Sequence, residues 1–164
     1  MEAKSIKEEK PHVFFETMAQ LLYVERWVEF LAKNVSDSHL TIMFKLGQRN
    51  LDDVESIGLK LELENYWKRL LGPMTEFGLF HSEDIGTVFI AGPYTAMFIQ
   101  DINGKKLGAL PEGLFGILRG LGLNRKETSD AIEKLAEGQY LILGRTATIT
   151  DKSLKKGTAK LKVS

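Results

Sequence analysis

Ile85-Gly86-Thr87-Val88-Phe89-Ile90-Ala91-Gly92-Pro93-Tyr94-Thr95-Ala96-Met97-Phe98-Ile99 is a run of fifteen residues without a charge, and its reading decides the fold. β-Branched and aromatic residues stand on either side of Gly92-Pro93. One reading is a strand broken by a bulge at Gly92; the other is a pair of short buried helices kinked there. Periodicity leaves both open. The run is the middle of a glycine-rich stretch, residues 72–123, which holds ten of the chain's fifteen glycines. Each glycine inside a helix costs about 1 kcal/mol against alanine, so this stretch reads as backbone that other backbone approaches closely, at Gly92, Gly116 and Gly120 above all. It is too short to span a bilayer, which takes about 20 apolar residues in a helix. The next apolar run is interrupted by Pro111, Glu112 and Arg119, residues that are costly in lipid. No transmembrane segment is expected.

Working outward, Pro11 opens a short apolar and aromatic strand at 12–15. Thr17 and Gln20 form a capping-box pattern ahead of Leu21, Val24, Val28 and Leu31, which predicts a helix over about 17–34. Tyr23, Trp27 and Phe30 make a second stripe on it. Residues 40–46 alternate as a half-buried strand. Asn50 then caps a helix with an acidic first turn, Asp52, Asp53 and Glu55, running to Leu71 and stopped by Gly72-Pro73. Within it, residues 57–64 also alternate as a strand would, and the two readings compete. Asn103-Gly104 marks a turn. Pro111 opens a helix to about Leu121, and Asn124 caps another that ends at Gly138. Residues 140–143 close as a strand. The expected class is α+β, with ferredoxin-like β-α-β halves around a glycine-rich helical insertion. The expected division is a flexible N-terminus over 1–10, a single α+β domain over 11–150 and a basic flexible tail over 151–164.

The composition is that of a globular protein, 43% hydrophobic and 27% charged. Lys plus Arg equals Asp plus Glu, which argues against dedicated nucleic-acid binding. The absence of cysteine removes disulfides, thiolate nucleophiles and thiolate metal sites. No apolar segment of a secretory signal follows Met1-Glu2-Ala3-Lys4, so the expected location is cytoplasmic. Lys152, Lys155, Lys156, Lys160 and Lys162 give the tail a weak affinity for anionic surfaces such as a membrane.

The layout of a strand-helix-strand unit, then Ile85-Gly86-Thr87-Val88-Phe89-Ile90-Ala91-Gly92-Pro93, Leu121-Gly122-Leu123, an acidic helix from about Glu127 and the closing Gly138-Gln139-Tyr140-Leu141-Ile142-Leu143, resembles the small bacterial heat-induced or general stress proteins of unknown function. The similarity covers residues 72–145 by motif and 12–44 by layout. It implies a stress-related role and brings no catalytic residue with it. Members of that family tend to carry a longer Gly/Ala-rich centre; here Asp101, Lys105, Lys106, Glu112 and Arg119 interrupt it.

Chemistry-bearing residues are sparse. His12, His39 and His81 lack the spacing that places two imidazoles on one helix face. His81 with Ser82, Glu83 and Asp84 reads either as a proton-transfer or metal site needing a second ligand, or as a solvated loop. Gly116 to Gly122 lacks the Lys and Ser/Thr of a phosphate loop, and Ser82 and Ser129 lie in no nucleophile elbow. No catalytic residue, metal or cofactor is assigned. The leading expectation is a non-enzymatic protein that acts through self-association or other protein–protein contact, as a homo-oligomer joined through Tyr23, Trp27 and Phe30 or through Gly116 and Gly120. The alternative is a small-ligand-binding protein or enzyme with a pocket of Trp67, Phe77, Phe80, His81 and Tyr94.

Overall fold

A computed structural model describes residues 12–34, 39–47 and 54–146. The expectations for the 1–10 terminus, the Gly47 to Asn50 turn, the Asn50 cap with its acidic first turn and the basic tail fall at least partly outside those residues.

The elements follow as β1 (His12–Met18), α1 (Leu21–Asn34), β2 (His39–Gly47), α2 (Val54–Leu71), β3 (Phe77–Ser82), β4 (Gly86–Ala91), α3 (Thr95–Ile99), the short strands β5 (Asp101–Ile102) and β6 (Lys105–Lys106), α4 (Pro111–Leu121), α5 (Arg125–Ala136) and β7 (Tyr140–Thr146). A 3-10 turn, Leu107–Ala109, precedes α4. One antiparallel sheet has the order β1-β7-β2-β4-β3, so the last strand in sequence lies between the first two. The fold is α+β, as expected.

Two β-α-β crossovers are present, β1-α1-β2 split by β7, and β4 to β7 split by β2 and crossed by α3, α4 and α5. The arrangement departs from a ferredoxin-like one because helices cover both faces of the sheet. On one face α1 and α2 bury Val24, Trp27, Val28, Leu31 and Trp67 against Phe14, Leu40, Ile42, Phe44 and Phe89. On the other, α3, α4 and α5 bury Phe98, Leu114, Ile117, Leu118, Ala131 and Leu135 against Met43, Val88, Ile90, Leu141 and Leu143. A strand covered on both sides loses the alternation of a one-sided strand. All six residues of β4 are buried, which is why 85–99 resisted a periodic reading.

Neither reading of that run holds throughout. Its first half is β4, and the chain then turns at Gly92-Pro93 into α3. Gly92 has φ of 131°, and a Cβ there would meet the Leu40 carbonyl and Thr41 of the neighbouring strand. Backbone meets backbone here, as the sequence suggested. Gly116 and Gly120 differ within this chain: both are exposed, and apart from the backbone of α4 itself a Cβ at either would meet no atom within 4 Å.

Residues 57–64 are helical. Leu59 and Leu61, which suggested a strand, face solvent on α2, while Leu63, Trp67, Leu70 and Leu71 turn to the core. Thr17 is not a helix cap: it lies in β1 opposite Leu141, and the Gln20 carbonyl receives the first amides of α1, from Tyr23 and Val24. β3 went unread in the sequence. Asn103 and Gly104 both have positive φ, 53° and 86°, joining β5 to β6 as their dipeptide predicts.

Candidate functional site

A row of aromatic rings crosses the α1–α2 face of the sheet: Tyr140 on β7, Phe44 on β2, Phe89 on β4 and Phe77 on β3, with successive centroids 5.0, 5.3 and 6.0 Å apart. Trp67 of α2 rests on Phe44 at 5.8 Å. Tilted ring pairs at these separations add about 0.5–1.5 kcal/mol each beyond the area they bury. This row is part of the core on which α1 and α2 sit.

Those ends stand over the beginning of β2 and the corner after β4, and between them lies a groove of about 710 Å³. Its walls are Val28 and Ala32 from α1, Leu70 and Leu71 from α2, Leu40 from β2 and Pro93 from the corner, with Met74 on the connecting turn. Met74 is 91% exposed, a large apolar side chain held out on a short turn. That turn is built internally: the Thr75 hydroxyl donates to the Gly72 carbonyl at 2.6 Å, and the Thr75 amide donates to the same oxygen at 3.3 Å. It is tied to the sheet corner because the Gly92 amide donates to the Glu76 carbonyl at 2.9 Å. The polar lining is His39, Thr75 and Glu76, and among the described residues that line the groove there is no lysine or arginine. The carbonyl ends of α1 and α2 and the exposed Glu76 carboxylate border it, and Lys68 and Arg69 stand in the last turn of α2.

About one helical turn back from the groove, Glu25 of α1 lies beside Tyr66 of α2 and Tyr140 of β7. Burial, then the Glu25 carboxylate, push both phenols above their ordinary value near 10. The Arg69 guanidinium lies 5.9 Å from the centre of the Tyr66 ring. The cluster joins α1, α2 and the sheet, a structural role.

The residues expected to form a pocket are not brought together. Trp67 and Phe77 belong to the α1–α2 face, Phe80 and Tyr94 to the opposite one, and His81 is exposed on edge strand β3. Phe80 stacks on Phe98 at 6.2 Å. His81 Nδ1 lies 3.0 Å from the Thr87 hydroxyl across the β3–β4 pair. Tyr94 donates its amide to the Thr41 hydroxyl at 3.1 Å, and its own hydroxyl is buried without a partner among the described residues. No group of three or more His, Asp or Glu able to hold a metal ion occurs among the described residues.

Of the expected interface residues, Trp27 is 1% exposed and packs edge-on against Phe14 with centroids 5.6 Å apart. It is a core residue, and truncating it opens a cavity instead of probing a surface. Tyr23 and Phe30 are half-buried against the same cluster. Gly116 and Gly120 lie on the outer side of α4.

The groove residues His39, Leu70, Leu71, Met74, Thr75 and Glu76 were missed as a set. The stop signal at Gly72-Pro73 marked the turn, but nothing local says that two helices end beside each other. No helix among the described residues is long and apolar enough to cross a membrane. Comparison of the chain with family models, with curated proteins and with solved structures finds no match.

Proposed function

We propose that the chain is a non-enzymatic binding protein whose working site is the groove between the C-terminal ends of α1 and α2. The observation that supports this is the groove itself: its volume falls in the range of about 300–1,000 Å³ usual for small-molecule sites, and its lining sets Leu40, Leu70, Leu71 and Met74 beside the polar His39, Thr75 and Glu76. The occupant that fits is a small molecule with an apolar body and a cationic head. Leu40, Leu70, Leu71 and Met74 receive the body, and Glu76 with the helix ends favours the head. This is the ligand-binding alternative read from the sequence, moved to other residues. A stress-related role, suggested by the resemblance, belongs to the same proposal and is read by whether stress raises the level of the protein in cells.

Thermal unfolding with hexylammonium and with hexanoate tests the reading, since a ligand that binds only the folded chain raises its melting temperature. The amine is expected to raise it and the acid to leave it unchanged. Ala32→Trp, which fills the groove from its exposed wall, should abolish the rise, and Glu76→Gln should reduce it. Equal responses to amine and acid, or an undiminished response in Ala32→Trp, would overturn the assignment.

A further inference from the structure

The sheet ends on two unlike edges. At β3 the edge is partly occupied: α3 and the 107–109 turn pack on the face of the strand, with Thr95 and Ile99 over Gly78, and Lys106 Nζ donates to the Leu79 carbonyl at 2.6 Å. At the other edge, all seven residues of β1 pair with β7 without a break in register, and no strand among the described residues lies beyond it. An edge of this kind presents a row of N–H and C=O groups ready to pair. Proteins that stay monomeric blunt such edges with lysine, proline, a bulge or a covering element. His12–Met18, with the sequence HVFFETM, has no lysine, no proline and no bulge, and its one carboxylate, Glu16, lies on the face of Phe14 and Met18. Of its four apolar side chains, Phe14 and Met18 are buried, and Val13 and Phe15 are half-buried on the α4–α5 face.

We propose that two copies of this chain pair through the outer edges of their β1 strands, antiparallel about a two-fold axis at Phe15, so that the two sheets become one. The partner is a second copy because the strand is complementary to itself. Full overlap sets Phe15 against its own counterpart, Val13 against Thr17 and Phe14 against Glu16, so no carboxylate stands opposite another. Equal numbers of acidic and basic residues remove any net repulsion between copies. The pairing closes on itself as a dimer, because a two-fold contact uses the same edge of both copies. This inference is independent of the groove, which lies at the ends of α1 and α2, and either can fail without the other.

Light scattering on the full chain should give about twice its 18.5 kDa. Val13→Lys with Thr17→Lys, which places charges at the edge, should give a folded monomer by circular dichroism and mass. Because the chain has no cysteine, single introduced thiols report the register: Phe15→Cys faces itself across the axis and should cross-link on mild oxidation, whereas Leu22→Cys, exposed on α1, should not. Should the double lysine variant not fold, the comparison of the two thiols decides. A wild-type monomer at high protein concentration, a folded lysine variant of unchanged mass, or cross-linking at Leu22→Cys as fast as at Phe15→Cys would each overturn the proposal.

Discussion

Two glycines separate what a backbone needs from what it merely tolerates. Gly92 combines φ of 131° with the Leu40 carbonyl and Thr41 where a Cβ would stand, so Gly92→Ala introduces both strain and collision. A residue forced into such a conformation costs about 1–3 kcal/mol before the clash is counted. Gly116, inside α4 with open space around it, has neither constraint. Gly116→Ala is therefore expected to stabilise the protein by up to about 1 kcal/mol through helix propensity. Denaturant titration of the two variants should move the midpoints in opposite directions. A loss of stability in Gly116→Ala would mean that this face of α4 is covered by something other than solvent. From sequence alone the two positions read alike, because spacing records where glycine occurs and not what faces it.

At the scale of elements, α5 shows how far local signals reach. Asn124 Oδ1 accepts from the Glu127 amide and Glu127 Oε1 accepts from the Asn124 amide, both at 2.8 Å, a complete capping box. Asn124→Ala should cost about 1 kcal/mol, seen as a fall of about 2–4 °C in melting temperature for a chain of this size. An unchanged melting temperature would show that the box adds nothing beyond packing of Ala131 and Leu135. This helix was legible because its start, its periodicity and its Gly138 stop agree. Thr17 misled for the opposite reason: its capping pattern is sound in isolation, but pairing of β1 with β7 claims the residue. β3 escaped notice because Phe77, Phe80 and His81 read as chemistry-bearing residues, and the hairpin with β4 that organises them is a pairing made between segments.

The whole molecule is a sheet clasped between two helical layers, and its phenols record that enclosure. Tyr66, Tyr94 and Tyr140 are all held above the ordinary value near 10, in each case first by burial. Below that value the phenols are protonated in both folded and unfolded chains, and their contribution is fully present. As pH rises past 10 the unfolded chain releases these protons while the folded chain retains them, so stability falls with rising pH. Alkaline titration should show these tyrosinates appearing together with loss of far-UV circular dichroism. Their ionisation near pH 10 in a fully folded chain would contradict the burial described. The α+β class was legible, because amphipathic helices and the alternation of residues 40–46 carry their periods with them, although Thr41 and Met43 prove as buried as Ile42 and the strand is not half-buried. That helices cover both faces was not, because doubly covered β4 has no period to read. The groove was hidden for a related reason: it is a space between helix ends and has no pattern of its own.

The position of β7 has a consequence for how the protein is made. β1 leaves the ribosome first, yet among the described strands its one ladder partner is the last to be synthesised. Until residues 140–146 clear the exit tunnel, β1 lacks its partner among the described strands and β2 lacks one of its two. From the emergence of β1 to that of β7 the nascent chain thus carries the described sheet unclosed. Emergence of β7 is the event that joins β1 to the rest of the described sheet.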